Sequence, residues 1–353
     1  MTVIQQTMSP TAPLAPAGAK TPSPDRIIHL GYAFRAAKAL LSAVELGVFT
    51  ALAEGPCDLA TLRKEIGVAE RGARDFFDAL VALALLERDS TGRYRNTAES
   101  EHYLDAKKPT YIGGDLGHLN VRGYPCWQLL TEALKTGAPQ TDNSAGGYFQ
   151  TLYADEGLRE SFTKGMTGAT MIAARAIASE FPWRQYASVI DVGTAEGCLP
   201  VQIAREHTHI IGGGFDLPAV QPCFDRYVER HGLSHRLRFH PGDFFHDPLP
   251  RADVLVFGRV LHNWDRATKK MLLKKAFDAL PSGGAVIIYE RLIDDDRQAS
   301  ASGLLASLNM LIMTAGGFDF TGAECIRWMR EAGFHDVCSK PLPSEMSMII
   351  GQR

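Results

Sequence analysis

The 353-residue chain contains no CxxC pair, and its six cysteines (Cys57, Cys126, Cys198, Cys223, Cys325 and Cys338) are scattered along it. That spacing argues against zinc-ribbon and disulfide-framework proteins, and points to reduced, mostly buried thiols in a cytoplasmic protein. Charge of one sign is lacking too: 37 Lys and Arg stand against 40 Asp and Glu, a formal net charge of −3. A chain so nearly neutral has no global basic field to draw in nucleic acid or an anionic membrane. No apolar run approaches the roughly 20 residues needed to cross a bilayer, and the N-terminus lacks the basic-then-apolar order of a secretory signal. No GxGxxG phosphate loop is found, and no internal repeat. What is present is an ordinary globular composition, 45% hydrophobic and 22% charged, in a length that allows two domains with separate cores.

Residues 1–25 are rich in Pro, Ala, Ser and Thr and have little to bury. A disordered tail is expected there. From Ile27 to Thr97 the apolar residues recur at helical spacing. DLATLRKEIGV, AERGARDFFDALVALALLERD and TGRYRNT then follow in the order helix, helix, ribbon, which predicts a winged-helix-like unit over 26–110. A DNA reader needs exposed basic or amide groups on its second helix. Here that helix carries Phe76, Phe77, Leu80, Val81 and Leu83, with Arg71 and Arg74 confined to its start. It is better suited to a buried dimer scaffold. Residues 111–186 read as connecting helices, and most of their aromatic and Met side chains suit core packing. A minority, Phe162 and Met166 among them, are candidates to line an apolar substrate pocket.

From Ser188 the rhythm becomes strand and helix in alternation. SVIDVG, HIIGGGFDL, LRFHPGDF, ADVLVFGRVL and GAVIIYERLI are short apolar runs suited to strands buried on both faces. With helical stretches between them, they predict a doubly wound, Rossmann-like α/β domain over 187–353. Ligands in such sheets sit beyond the carboxyl ends of the strands, so those ends carry the candidates. The first run ends in Asp191-Val-Gly193-Thr-Ala-Glu-Gly197, where small residues allow a sharp turn and close ligand approach. The second ends in Asp216-Leu217-Pro218, a carboxylate that can accept from ribose hydroxyls or cap the next helix. Gly212-Gly213-Gly214 just before it reads as a packing or bending feature. The third run ends in Asp243 and Phe244, a carboxylate beside an aromatic face that suits an adenine. The fourth ends in His262-Asn-Trp264, with an imidazole of ordinary pKa about 6.5 placed for proton abstraction.

In this order the motifs FDLP, GDFF, LHNW and GGFDFT, behind a helical N-terminal unit, resemble the class I methyltransferases typified by plant caffeate O-methyltransferases and bacterial polyketide and hydroxyneurosporene O-methyltransferases. The resemblance covers the chain from Ile27 onward. It implies a homodimer joined through the N-terminal domain, with S-adenosylmethionine held by the Gly193–Gly197 loop, Asp216 on ribose, and Asp243, Phe244 and Trp264 around adenine. It also implies His262 as the catalytic base, Glu290 as the carboxylate orienting it, and Asp319 at the place of a second Glu. Met310 and Thr314 fall on pocket-lining positions. Three departures are visible. Thr194 and Ala195 replace two glycines, which requires a negative φ at both. Asp319 is one methylene shorter than Glu, which leaves its reach to the imidazole open. Gly258 replaces a Lys common in the plant enzymes, whose cofactor contact neighbouring Arg259 can take over.

The expected reaction moves a methyl group onto a small aromatic substrate, a phenol in the first instance, in secondary metabolism. No metal is expected, since Asp294-Asp295-Asp296 reads as a solvated turn. Methylation at carbon or nitrogen of an aromatic amino-acid derivative, or a non-methylating cofactor-binding protein, are the alternatives.

Overall fold

A computed structural model describes residues 22–141 and 147–353. The expected tail therefore lies outside the described residues, apart from 22–25. The N-terminal unit opens with α1 (Asp25–Glu45), α2 (Val48–Leu52), α3 (Leu59–Glu65) and α4 (Glu70–Ala82). The ribbon β1 (Leu86–Arg88) and β2 (Tyr94–Asn96) and helix α5 (Ala98–Tyr103) follow. Phe49, Leu62, Phe77, Leu80, Leu86 and Tyr94 interlock as its core. The predicted helix–helix–ribbon order is present, and the second helix spends Phe77 and Leu80 on that core.

One feature was not expected from composition. By length and composition alone, α1 is apolar enough to span a bilayer. Its charges and contacts bear on that: Arg35 and Lys38 interrupt it, and Lys38 donates to Asn120 at 2.5 Å. Its first half leaves Ile27, Leu30, Tyr32 and Phe34 exposed.

The connecting region comprises α6 (Gly113–His118), a π-helical turn (Leu119–Gly123), α7 (Tyr124–Trp127), α8 (Leu130–Thr136), α9 (Tyr148–Ala154) and the long α10 (Glu156–Glu180). Then β3 (Ser188–Val192), α11 (Cys198–Glu206), β4 (Ile211–Asp216), α12 (Gln221–Arg230), β5 (Leu237–Pro241) and β6 (Val254–Gly258) alternate. They are followed by α13 (Arg266–Ala279), β7 (Ala285–Glu290), α14 (Ala301–Met313), α15 (Gly322–Ala332), β8 (His335–Leu342) and β9 (Met346–Gln352).

The seven-stranded sheet runs β5-β4-β3-β6-β7-β9-β8. Its first five strands are parallel, as predicted, while β9 pairs antiparallel with both β7 and β8. That closing hairpin was not anticipated. Strand periodicity splits the side chains cleanly between two cores. Val189, Val254, Val256, Ala285 and Ile287 pack under Ile177 of α10 and Leu199 of α11. Ile190, Leu255, Phe257, Val286 and Ile288 pack over Leu272 of α13 and Trp328 of α15. The glycine run in β4 is a close-approach device, as expected. A Cβ at Gly212 or Gly213 would stand 1.8 Å from the Val189 carbonyl oxygen or 1.7 Å from that of Arg238. Strand order reverses between β3 and β6, and the site opens beyond their carboxyl ends.

Candidate active site

A cavity of about 1440 Å³, counting its open mouth, lies beyond these strand ends and under α6, α9, α10 and α14. Its wall includes Asp191, Gly193, Asp216, Leu217, Asp243, Phe244, Arg259, His262 and Trp264. Phe162, Met166, Met310 and Thr314 also line it. Glu290 and Asp319 stand behind His262, while Gly197 is the N-cap of α11 and packs toward Phe224.

The turn after β3 departs from expectation. Ala195 sits at φ +50°, in the left-handed region that costs an alanine about 1 kcal/mol. Its amide donates to Asp216 Oδ2 at 3.0 Å, which holds the turn in that shape. Asp216 Oδ1 accepts from its neighbour Leu217 at 2.8 Å, and each oxygen keeps a lone pair for a further donor. Burial raises this carboxyl to about 6, against the two backbone donors. Asp191, equally buried, is pushed up to about 7. Asp243 is committed locally, accepting from the Phe245 amide at 2.9 Å and contacting His246 at 3.0 Å. Phe245, which the sequence did not single out, meets Trp264 edge-on at 4.8 Å, nearer than Phe244 at 5.7 Å. Gly258 is explained by bulk: a Cβ there would enter the Tyr289 ring.

A nucleoside-bearing cofactor fits this arrangement. Glycine backbone, a carboxylate with spare lone pairs and an aromatic wall converge, and the buried Trp264 Nε1 has no hydrogen-bond partner.

The acid–base group is better defined than expected. His262 occupies the short helical turn after β6, with its side chain 12% exposed. Its Nδ1 lies 3.3 Å from Asp319 Oδ1 and 3.4 Å from Glu290 Oε2. Glu290 Oε1 also accepts the His262 amide at 3.3 Å. Asp319 thus reaches the imidazole, which its side-chain length had left open. The reason is backbone approach: a Cβ at Gly317 would lie 2.6 Å from the His262 carbonyl oxygen. The glycine lets the whole segment move in, which makes up for the missing methylene. Burial pulls the imidazole down, but the Glu290 charge and the Asp319 hydrogen bond and charge outweigh it, leaving His262 above its ordinary value. Burial pushes Glu290 up to about 7.

The second histidine on the wall, His118 of α6, was missed. Burial, with Arg122 and Arg259 nearby, drives it to about 4, too weak a base for a phenol. Asp115 of α6 and Phe149 and Tyr153 of α9 complete that side. The acidic run after β7 is a turn, with Asp294 accepting the amides of Gln298, Ala299 and Ser300.

Fold and site together define a methyltransferase. An O-methyltransferase domain family matches residues 127–335, and an O-methyltransferase dimerisation domain family matches 28–106. The chain belongs to the S-adenosylmethionine-dependent O-methyltransferases, and S-adenosylmethionine is its cofactor. It is 41% identical over 330 residues to the tetracenomycin polyketide synthesis 8-O-methyl transferase of Streptomyces glaucescens, covering 94% of this chain and 97% of that one. It is 35% identical over 330 residues to the N,N-dimethyltransferase OxyT of Streptomyces rimosus, covering 93% of each. Human N-acetylserotonin methyltransferase, solved in complex with SAM, superposes with a TM-score of 0.87 at 28% identity, covering 95% of this chain and 99% of that one.

Proposed function

We propose that the enzyme methylates a phenolic hydroxyl of a small aromatic, polyketide-type substrate in secondary metabolism, with His262 as general base. The observation that carries this is the imidazole on the cavity wall, its Nδ1 between two buried carboxylates. That contact fixes the tautomer with Nδ1–H inward and Nε2 free to take a proton, the logic of a hydrolase triad. The cofactor supplies an electrophilic methyl group when bound. Asp191, Gly193, Asp216, Leu217, Asp243, Phe244, Arg259 and Trp264 are the groups that would hold it, with Gly197 shaping the turn from behind. Phe162, Met166, Met310 and Thr314 present a largely apolar wall to an aromatic ring. A phenol has a pKa of about 10, so His262 must accept its proton as the oxygen attacks, a step worth about 10²–10⁴-fold. Alignment by the cavity wall can contribute more, up to ~7–11 kcal/mol.

The 41% identity to a polyketide O-methyltransferase supports this substrate class. The 35% identity to an N,N-dimethyltransferase supports a second reading, transfer to an aromatic amine. Incubation with methyl-labelled cofactor and matched panels of polycyclic phenols and amines separates them. Label is expected on phenolic oxygen, at a rate EDTA does not change; label on nitrogen or carbon alone would establish the other reading.

We also propose a cytoplasmic homodimer assembled through the N-terminal unit. On α1, Ile27, Leu30 and Phe34 are 76%, 74% and 53% exposed, and their three- and four-residue spacing places them on one face. A stripe of that kind implies a partner. Leu30→Glu combined with Phe34→Glu is expected to halve the mass found by sedimentation equilibrium. An unchanged dimer, or a wild-type monomer, would contradict the assignment.

A further inference from the structure

Lys269 on α13 is fully buried, as a lysine seldom is unless paired. It is 0% exposed, and no carboxylate oxygen lies within ion-pair distance among the described contacts. Its Nζ donates to the Trp264 carbonyl, lies 3.4 Å from the centroid of the Phe318 ring and 5.6 Å from that of Phe320. Those two rings flank Asp319, whose Oδ2 is buried without a hydrogen-bond partner. Glu290 Oε2, 3.4 Å from the imidazole Nδ1, is likewise buried without a hydrogen bond. A single buried cation thus stands between the turn that carries His262 and the segment that carries its second carboxylate.

We propose that Lys269 is a positioning residue for methyl transfer: it ties the Phe318–Phe320 segment to the His262–Trp264 turn and balances one of the two carboxylates behind the imidazole. This rests on His262 acting as the base. With Glu290 and Asp319 ionised, Lys269 charged and the imidazole neutral, the cluster carries a net charge of −1. Protonating the imidazole brings it to zero. Without Lys269 the same step runs from −2 to −1, so the cluster holds its proton more tightly and the base is less available at neutral pH. The charged groups facing His262 are Glu290 of β7, Asp319, and Arg259 after β6. Those facing Lys269 are Glu290, Asp319, Asp265 at the start of α13, and Glu324 of α15. Burial draws Lys269 down to about 8, opposed by these carboxylates, so it remains largely charged at neutral pH. Cation–π contact with two rings offsets part of its desolvation.

The test is the pH dependence of kcat with a phenol the wild type methylates. Lys269→Met keeps an unbranched chain only one atom shorter and loses the charge. Its acid-side limb, where the rate rises with pH, is expected about one unit higher than in the wild type. The rate at pH 7 then falls by up to about tenfold and recovers above the displaced limb. Lys269→Met on an Asp319→Asn background removes one charge of each sign and stays available if the single variant does not fold. Relative to Asp319→Asn alone it should show the same upward displacement. A limb present in the wild type but unmoved in both comparisons, with only thermal stability reduced, overturns the proposal for Lys269 and leaves the base intact. A wild-type profile with no such limb overturns the base assignment, and this inference with it.

Discussion

His262→Ala is expected to lower kcat by about 10²–10⁴-fold on an unactivated phenol. Cofactor affinity should be nearly unaffected, because the groups suited to hold the nucleoside sit on other strand ends. The size of the loss follows from His262 being the proposed base and from the other imidazole on the wall being unable to replace it. Burial drives His118, the other imidazole on the wall, to about 4, and it cannot take over the proton. In the wild type the rate should fall as pH drops through the His262 pKa. That limb lies above the ordinary value, since Glu290 and Asp319 together outweigh the burial that pulls the ring down. The defect of the variant should shrink with nitro-substituted phenols, which ionise without help. Near-full activity of His262→Ala on an unactivated phenol would mean that alignment alone drives the reaction, or that the acceptor atom is not a hydroxyl oxygen.

Much of this was legible in the sequence because the polar residues lining the cavity stand at the carboxyl ends of apolar runs. Asp191, Asp216, Asp243 and His262 each close such a run, and parallel strands bring those ends to one edge. The five parallel strands followed from runs buried on both faces. The hairpin β8–β9 did not, since β8 is exposed for most of its length and HDVCSKPL shows no apolar pattern. His118 was hidden for another reason. Nothing in GGDLGH marks its histidine, and only the packing of α6 against α10 turns it toward the cavity. The reach of Asp319 was left open on side-chain length alone. Its reach is decided by Gly317 two residues earlier, where the absence of a Cβ lets one backbone lie against another. The positive φ of Ala195 was equally out of view, because it is sustained by a hydrogen bond to Asp216 from the next strand. Lys269 reads as one more surface residue in DRATKKMLLKK until the fold buries it.

Removing both carboxylates behind His262 is expected to cost far more than removing either. With Glu290→Gln alone, Asp319 still accepts the Nδ1 hydrogen; with Asp319→Asn alone, Glu290 does. Each single variant should therefore lose no more than about tenfold in kcat. In Glu290→Gln/Asp319→Asn both acceptors are replaced by amides, whose NH2 groups can donate to Nδ1 and place the ring hydrogen on Nε2. That is the wrong tautomer for a base, and in a serine protease triad the equivalent change lowers kcat about 10⁴-fold. The double variant should fall about 10²–10³-fold, beyond the product of the singles, because the two carboxylates back each other up. The pH profile should move in the opposite direction to that of Lys269→Met. Without the two negative charges, burial and Arg259 act on the imidazole unopposed, so its pKa drops below about 6.5 and the limb shifts to lower pH. Activity then stays low even where the ring is fully neutral, which separates a misplaced hydrogen from a merely protonated base. If the double variant loses only the product of its singles, or if either single matches His262→Ala, the shared-acceptor account of this site is wrong.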